Sequence, residues 1–146
     1  MEIFRRMSSM FGYRGIPEEM RERVPPGQYV TPKMPVMNEG SAPQVSTADW
    51  KLRVTGLVER EVELDWDAFL ALARTSEVVD FHCVTQWPRL NVEWEGLAVS
   101  TVLDLASRKP EARYVMVHSS DGYTTNMVLE ALRAPGVLFA RRIGGK

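Results

Sequence analysis

The chain has 146 residues, of which 45% are hydrophobic and 25% charged, and its formal net charge is −1. That is long enough for one domain with its own core, and too well balanced for disorder throughout. A charge so near zero excludes a global basic field for nucleic acid or an anionic membrane, and a single cysteine excludes an intramolecular disulfide or a cysteine-rich zinc module.

The N-terminus opens with an Arg5-Arg6 pair of the kind that starts an export signal. Charges return at Arg14, Glu18 and Glu19, before the roughly 7–15 apolar residues such a signal needs. No run approaches the ~20 apolar residues of a membrane helix. The expectation is a cytoplasmic protein with neither a membrane nor a nucleic-acid partner.

Residues 1–45 form a proline-rich arm carrying Pro17, Pro25, Pro26, Pro32, Pro35 and Pro43. Proline removes a backbone donor and fixes φ, so long helices and central strands are disfavoured here. Pro17 suits the start of a short helix over Glu18–Arg23, and Pro25-Pro26-Gly27-Gln28 forces a turn. Val30, Met34, Val36 and Met37 argue that the arm docks on the domain.

Residues 46–146 form the domain proper. Trp50, Leu52 and Val54 alternate as a strand does, and Glu61–Leu64 reads as a second one. Asp65 is placed to cap a helix from Trp66 to Ala73, with Phe69 and Leu70 on its apolar side. Glu77–Cys83 reads as a strand that Trp87-Pro88 ends, and Glu93–Gly96 as a turn. Ser100 is placed to cap a helix reaching Ser107. Tyr114–His118 is a strand, Asp121-Gly122 a turn, Leu129–Arg133 one helical turn, and Val137–Ile143 a last strand before Gly144-Gly145. The fold class expected is α+β, with mixed β-sheets and short helices. A strand that enters a turn with no following partner leaves an open edge, so either another element covers that edge or, as expected here, the chain is truncated at its C-terminus.

The chemistry concentrates in Asp80-Phe81-His82-Cys83-Val84-Thr85-Gln86-Trp87-Pro88-Arg89. A free cysteine is most often an inert, buried small hydrophobe. Three readings give Cys83 a role. Zinc binding with His82, His118 and Asp80 conflicts with strand geometry, because neighbouring side chains point to opposite faces. A Cys83–His118 nucleophile pair has the needed base but no surrounding signature. A single thiolate on a redox metal otherwise held by a cofactor needs only one cysteine. It also needs local cations for a cofactor phosphate, and Arg89, Arg141 and Arg142 are available.

The segment resembles the oxidoreductase molybdopterin-binding domain of the sulfite oxidase superfamily, closest to its small bacterial members related to the methionine-sulfoxide reductase catalytic subunit. The resemblance is carried by Arg23-Val24-Pro25-Pro26-Gly27-Gln28, Trp50–Val58, Asp80–Trp87, Trp94-Glu95-Gly96-Leu97 and Asp121–Asn126, whose order spans residues 23–146. It implies one molybdenum, held by molybdopterin and by the thiolate of the Phe-His-Cys-Val motif, which here is Cys83. Members move an oxygen atom between water and a small sulfite- or sulfoxide-like substrate.

Strand alternation points His82 away from Cys83, either as a core or cofactor-edge hydrogen bonder or as a direct cofactor contact. Thr85 and Arg89 follow the ligand, where a guanidinium suits pterin oxygens or phosphate. The resemblance implies a polar pterin contact near the end of the Tyr114–His118 strand, which here is Ser119, with His118 as alternate. Thr124, Thr125 and Asn126, polar between apolar neighbours, are expected to face the cofactor, and the resemblance implies that Gln28 reaches it from the arm. Trp87 and Trp94 are packing residues. Family domains continue past the Gly-Gly turn with another strand and a basic segment. No haem-binding motif is present, so a separate electron-transfer protein is implied. The alternative is a non-catalytic binding or scaffold domain that keeps the fold without the cofactor. Cys83→Ala is silent in that case.

Overall fold

A computed structural model of the chain describes residues 16–32, 34 and 42–145. The Arg5-Arg6 pair and the expected docking residues Val36 and Met37 lie outside the described residues. Two compact units emerge. One comprises Met1–Val36 with Val78–Glu93, and the other Met37–Glu77 with Trp94–Lys146.

Seven strands and three short α-helices follow a 3-10 helix at Glu18–Arg23 among the described residues. The order is β1 (Lys51–Val54), β2 (Val62–Asp65), α1 (Trp66–Ala71), β3 (Thr75–Cys83), β4 (Trp87–Ala98), α2 (Val99–Ala106), β5 (Tyr114–His118), β6 (Thr124–Val128), α3 (Leu129–Leu132) and β7 (Leu138–Ile143). Three sheets result: β1-β2, β3-β4-β7 and β5-β6. Small sheets with short helices between them are the α+β architecture expected from the sequence.

In the second unit, β1 and β2 pair antiparallel from Lys51↔Asp65 to Val54↔Val62. Asp65 then caps α1, its carboxylate accepting from the Ala68 N–H at 2.8 Å. That satisfies one of the amides a helix start leaves open. The cap points Phe69 inward. Phe69 is buried with Leu97 and Val102, and Trp50, Leu52, Leu64, Trp66 and Phe139 pack around them. The aromatic rings meet edge-on or stacked, with centroids 5.1 Å apart for Trp50–Phe69 and 6.0 Å for Trp66–Phe69, the arrangements that favour aromatic pairs.

The helix α2 starts at Val99, and Ser100 does not cap it. The open Val99 N–H is taken by the Val137 carbonyl at 3.0 Å. It ends at Ser107, whose φ of 51° is left-handed, before Lys109-Pro110 is reached. The carbonyls of Ala106 and Ser107 accept from the amides of Arg60 and Glu59.

Glu93–Gly96 is not a turn. It lies inside β4, and Trp94–Ala98 pairs with Leu138–Ile143, with a register shift between Glu95 and Gly96. The glycine serves a close approach: a Cβ at Gly96 would run into the Phe139 carbonyl, its carbon at 2.9 Å.

Trp87-Pro88 does not end the strand region either; it begins β4. The Pro88 carbonyl accepts from the Thr31 N–H at 3.1 Å. In a strand a residue's N and O point the same way, so the missing proline N–H falls on the Thr31 side and costs β3 nothing.

Candidate functional site

Cys83 is the last residue of β3, and Val84-Thr85-Gln86 form the connection to β4. The Gln86 amide donates to the Cys83 carbonyl at 3.1 Å, and Gln86 has φ of 69°. This is a three-residue hairpin loop, a turn followed by one left-handed residue. The loop brings the sulfur to the tip of a hairpin, where Cys83 is half-buried and Val84 almost fully exposed.

Thr85 folds back on the sulfur, its Oγ1 3.1 Å from Cys83 Sγ. The thiol is held below its ordinary value, first by the Thr85 hydroxyl, then by the Thr85 and Val84 amides, with burial opposing. Donors that stabilise the thiolate are what a metal-binding or nucleophilic cysteine needs and an inert one lacks. His82 is exposed, as strand alternation requires of a neighbour facing the other way. Among the described residues no group of three or more His, Cys, Asp or Glu is placed to hold a metal. The zinc reading of Cys83 with His82, His118 and Asp80 therefore has no support.

The arm meets this hairpin within the first unit. The Pro25-Pro26-Gly27-Gln28 turn closes with Gln28 N donating to Pro25 O at 3.2 Å, and Gly27 has φ of 81°. A proline followed by a positive-φ glycine gives a type II turn. Beyond it, the Tyr29 amide donates to the Gln86 carbonyl at 3.3 Å. The Gln28 side-chain Oε1 is buried with no hydrogen-bond partner. A buried acceptor left open is costly unless something else donates to it. Arg89 directs Nη1 toward Met34 Sδ at 4.0 Å. Phe81 and Trp87 pack ring against ring at 5.8 Å, and Trp87 is buried.

The remaining sequence-predicted residues belong to the second unit. β5 and β6 pair as a two-stranded ribbon, His118↔Thr124, Val117↔Thr125 and Met116↔Asn126. His118 and Asn126 therefore share one face, and Thr125 lies on the other. At the ribbon tip the Ser119 amide donates to the Tyr123 carbonyl at 2.9 Å, and Asp121 accepts from the Tyr123 amide at 2.9 Å. The Asp121 carboxyl is held below its ordinary value, chiefly by that amide.

Of the two arginines near the C-terminus, Arg141 is paired with Glu95, while Arg142 stands opposite Glu95 in the β4–β7 register. A cavity of about 820 Å³ in this unit is lined by Arg108, Arg113, Tyr114, Leu129, Glu130 and Arg133 among others. None of the candidate site residues lines it. No described helix is long and apolar enough to cross a membrane.

Residues 39–146 match the oxidoreductase molybdopterin binding domain, and the chain belongs to that family. It is 37% identical over 125 residues to the uncharacterised oxidoreductase YuiH of Bacillus subtilis, covering 85% of this chain and 63% of that protein. It is 26% identical over 74 residues to the protein-methionine-sulfoxide reductase catalytic subunit MsrP of Campylobacter jejuni, covering 51% of this chain and 25% of the relative. The sulfane dehydrogenase SoxCD from Paracoccus pantotrophus shares the fold, with a TM-score of 0.63 at 21% identity over 72% of this chain and 32% of its own. The chain thus spans less than two thirds of the length of these relatives.

The family implies a molybdenum–molybdopterin cofactor, and the residues present fit such a group. A half-exposed sulfur in a thiolate-favouring loop suits a soft metal. The open Gln28 acceptor is what an N–H-bearing ring can fill. A signal for Thr85 existed in the sequence, a hydroxyl two residues past the only cysteine. Arg23 stood in the Arg23–Gln28 motif, but its pairing with Asp80 had no signal, since the two are 57 residues apart.

Proposed function

We propose that this chain provides the metal-ligating part of a molybdopterin-dependent oxidoreductase that transfers an oxygen atom to or from a small sulfite- or sulfoxide-like substrate. The observation that carries this is the Cys83 thiol, presented at a hairpin tip with the Thr85 hydroxyl at hydrogen-bond distance from its sulfur. Cys83 would be the one protein ligand to the metal, with Gln28 accepting from the pterin and Arg89 as the nearby cation. His82, His118, Ser119, Thr125 and Asn126 stay in the proposal as residues at the cofactor's edges.

When bound, the cofactor supplies a centre that exchanges two electrons as oxygen moves between substrate and water. In the reducing direction the sulfoxide oxygen leaves as water, taking two protons and two electrons. In the oxidising direction sulfite gains an oxygen from water and releases the same. The protein's own part is to favour the thiolate at Cys83, to seat the ring system and to leave coordination positions open. The electrons must come from, or pass to, a separate protein. MsrP of Campylobacter jejuni is described as a catalytic subunit, which supports a partner of that kind.

The test is elemental analysis for molybdenum, with assay of the fluorescent pterin released on denaturation, on protein from cells that make the cofactor. About one molybdenum per chain is expected, with turnover of a sulfoxide or sulfite that Cys83→Ala abolishes. Protein free of both metal and pterin, whose function survives Cys83→Ala, would establish the scaffold reading instead.

A further inference from the structure

The Cys83 hairpin is tied to the N-terminal segment by a network rather than by a lone ion pair. Arg23 is the last residue of the 3-10 helix. Its Nε donates to Asp80 Oδ2 at 2.7 Å, and its Nη2 reaches both Asp80 Oδ1 and, at 2.7 Å, Asn91 Oδ1. The Asn91 amide donates to the same Asp80 carboxylate at 2.9 Å. Asn91 has φ of 53°, a conformation uncommon for a residue with a side chain. Asp80 lies on β3 three residues before Cys83, and Asn91 on β4. The network therefore spans both strands of the hairpin and the arm.

Exposed ion pairs generally contribute little, but a two-pronged guanidinium with a shared third partner is the exception. The fork geometry is specific to arginine. A second fastening lies further along the arm, where the amides of Tyr29 and Thr31 donate to the carbonyls of Gln86 and Pro88. Gln28, with its open buried Oε1, sits in the chain between the two fastenings.

We propose that Arg23 is a positioning residue: through Asp80 and Asn91 it fixes the arm on the hairpin in the one register that sets the Gln28 amide relative to the Cys83 turn. For what the turn holds, this rests on the proposed function above; the fastening itself does not. Arg23 touches no reacting group and acts only through the placement of Gln28.

Amide hydrogen exchange at Tyr29 and Thr31, read in protein without cofactor, tests the fastening. Molybdenum and pterin retained per chain after gel filtration test its use. Arg23→Ala should speed exchange at those two amides about tenfold or more, while amides of β1 and β2 stay protected. It should also reduce retained cofactor severalfold. The swap Arg23→Asp with Asp80→Arg, which keeps the ion pair but loses both Asn91 contacts, should restore both readouts only in part, and Arg23→Lys should likewise restore exchange protection only in part. Asn91→Gly, which keeps the backbone angle and deletes one acceptor, should be intermediate.

Unchanged exchange in Arg23→Ala overturns the fastening. Faster exchange with full cofactor retention overturns the positioning role. If Arg23→Ala unfolds β1 and β2 as well, Arg23→Lys and the swap decide by the same two readouts. A wild type that holds no molybdenum sinks the proposed function alone, and the exchange data still decide the fastening.

Discussion

The Thr85 hydroxyl lies 3.1 Å from the Cys83 sulfur across a three-residue hairpin loop, and it is the foremost cause of that thiol's lowered pKa. Thr85→Val keeps the branched shape and removes the donor. In metal-free protein the alkylation rate of Cys83, followed against pH, should rise at higher pH in the variant than in wild type. Superimposable curves would mean that the two backbone amides suffice.

Cys83→Ser tests the same atom from the other side. The side chain is half-buried at a loop tip and belongs to no core cluster. Exchange of sulfur for oxygen there should change stability by no more than about 0.5 kcal/mol. Turnover should be lost and retained molybdenum should fall only in part, because the soft metal loses its one protein thiolate while the pterin remains seated. Urea unfolding and elemental analysis on one preparation separate the two effects.

Gly96 carries a third prediction. An added methyl would meet the Phe139 backbone, which cannot move without dragging β7. Gly96→Ala should therefore cost about 1–3 kcal/mol or more, the range for forcing atoms into a packed site. A urea midpoint unchanged from wild type would show that the β4–β7 register is not the one described.

Gly96 also shows where the sequence was hard to read. A glycine among charged and aromatic residues looks like a turn, and only the close approach of Phe139 reveals its purpose. Pro88 misleads for a related reason: a proline breaks a strand only if its missing N–H faces a partner strand. β6 left no trace because Thr124–Val128 is exposed along its whole length, so burial imposed no alternation on it. What was legible was local. Asp65 caps three residues ahead, Pro-Pro-Gly dictates its own turn, and the Phe-His-Cys-Val motif is contiguous. The Arg23–Asp80–Asn91 network joins residues 57 and 68 positions apart and has no local signature.

Phe69 ties α1 to the rest of the second unit's core, meeting Trp50, Trp66 and Phe139. Phe69→Ala should destabilise that core by about 3–5 kcal/mol, the usual cost of removing a buried phenyl ring. Tryptophan emission should shift to longer wavelength before global unfolding, since Trp50 and Trp66 lose their neighbour. A loss below about 1 kcal/mol would mean that the cluster relaxes into the space, in place of holding it open.

Acid should reach the first unit through Asp80. Its carboxyl is held below the ordinary 3.8, first by Arg23, then by the Asn91 amide, with burial opposing. Glu63 and Glu95 are likewise held below 4.5, by Lys51 with Arg53 and by Arg141. For a depressed carboxyl the unfolded chain binds the proton more tightly, so stability rises with pH through that range. The contribution is fully present above the ordinary values and fades as pH falls below about 4, through the lowered ones. Urea midpoints should hold a plateau near neutral pH and fall on acidification. Asp80→Asn should flatten part of that fall, because the variant has no proton to take up. Asp80→Asn and wild type falling with identical slopes would mean that the Arg23–Asp80 pair does not form in solution.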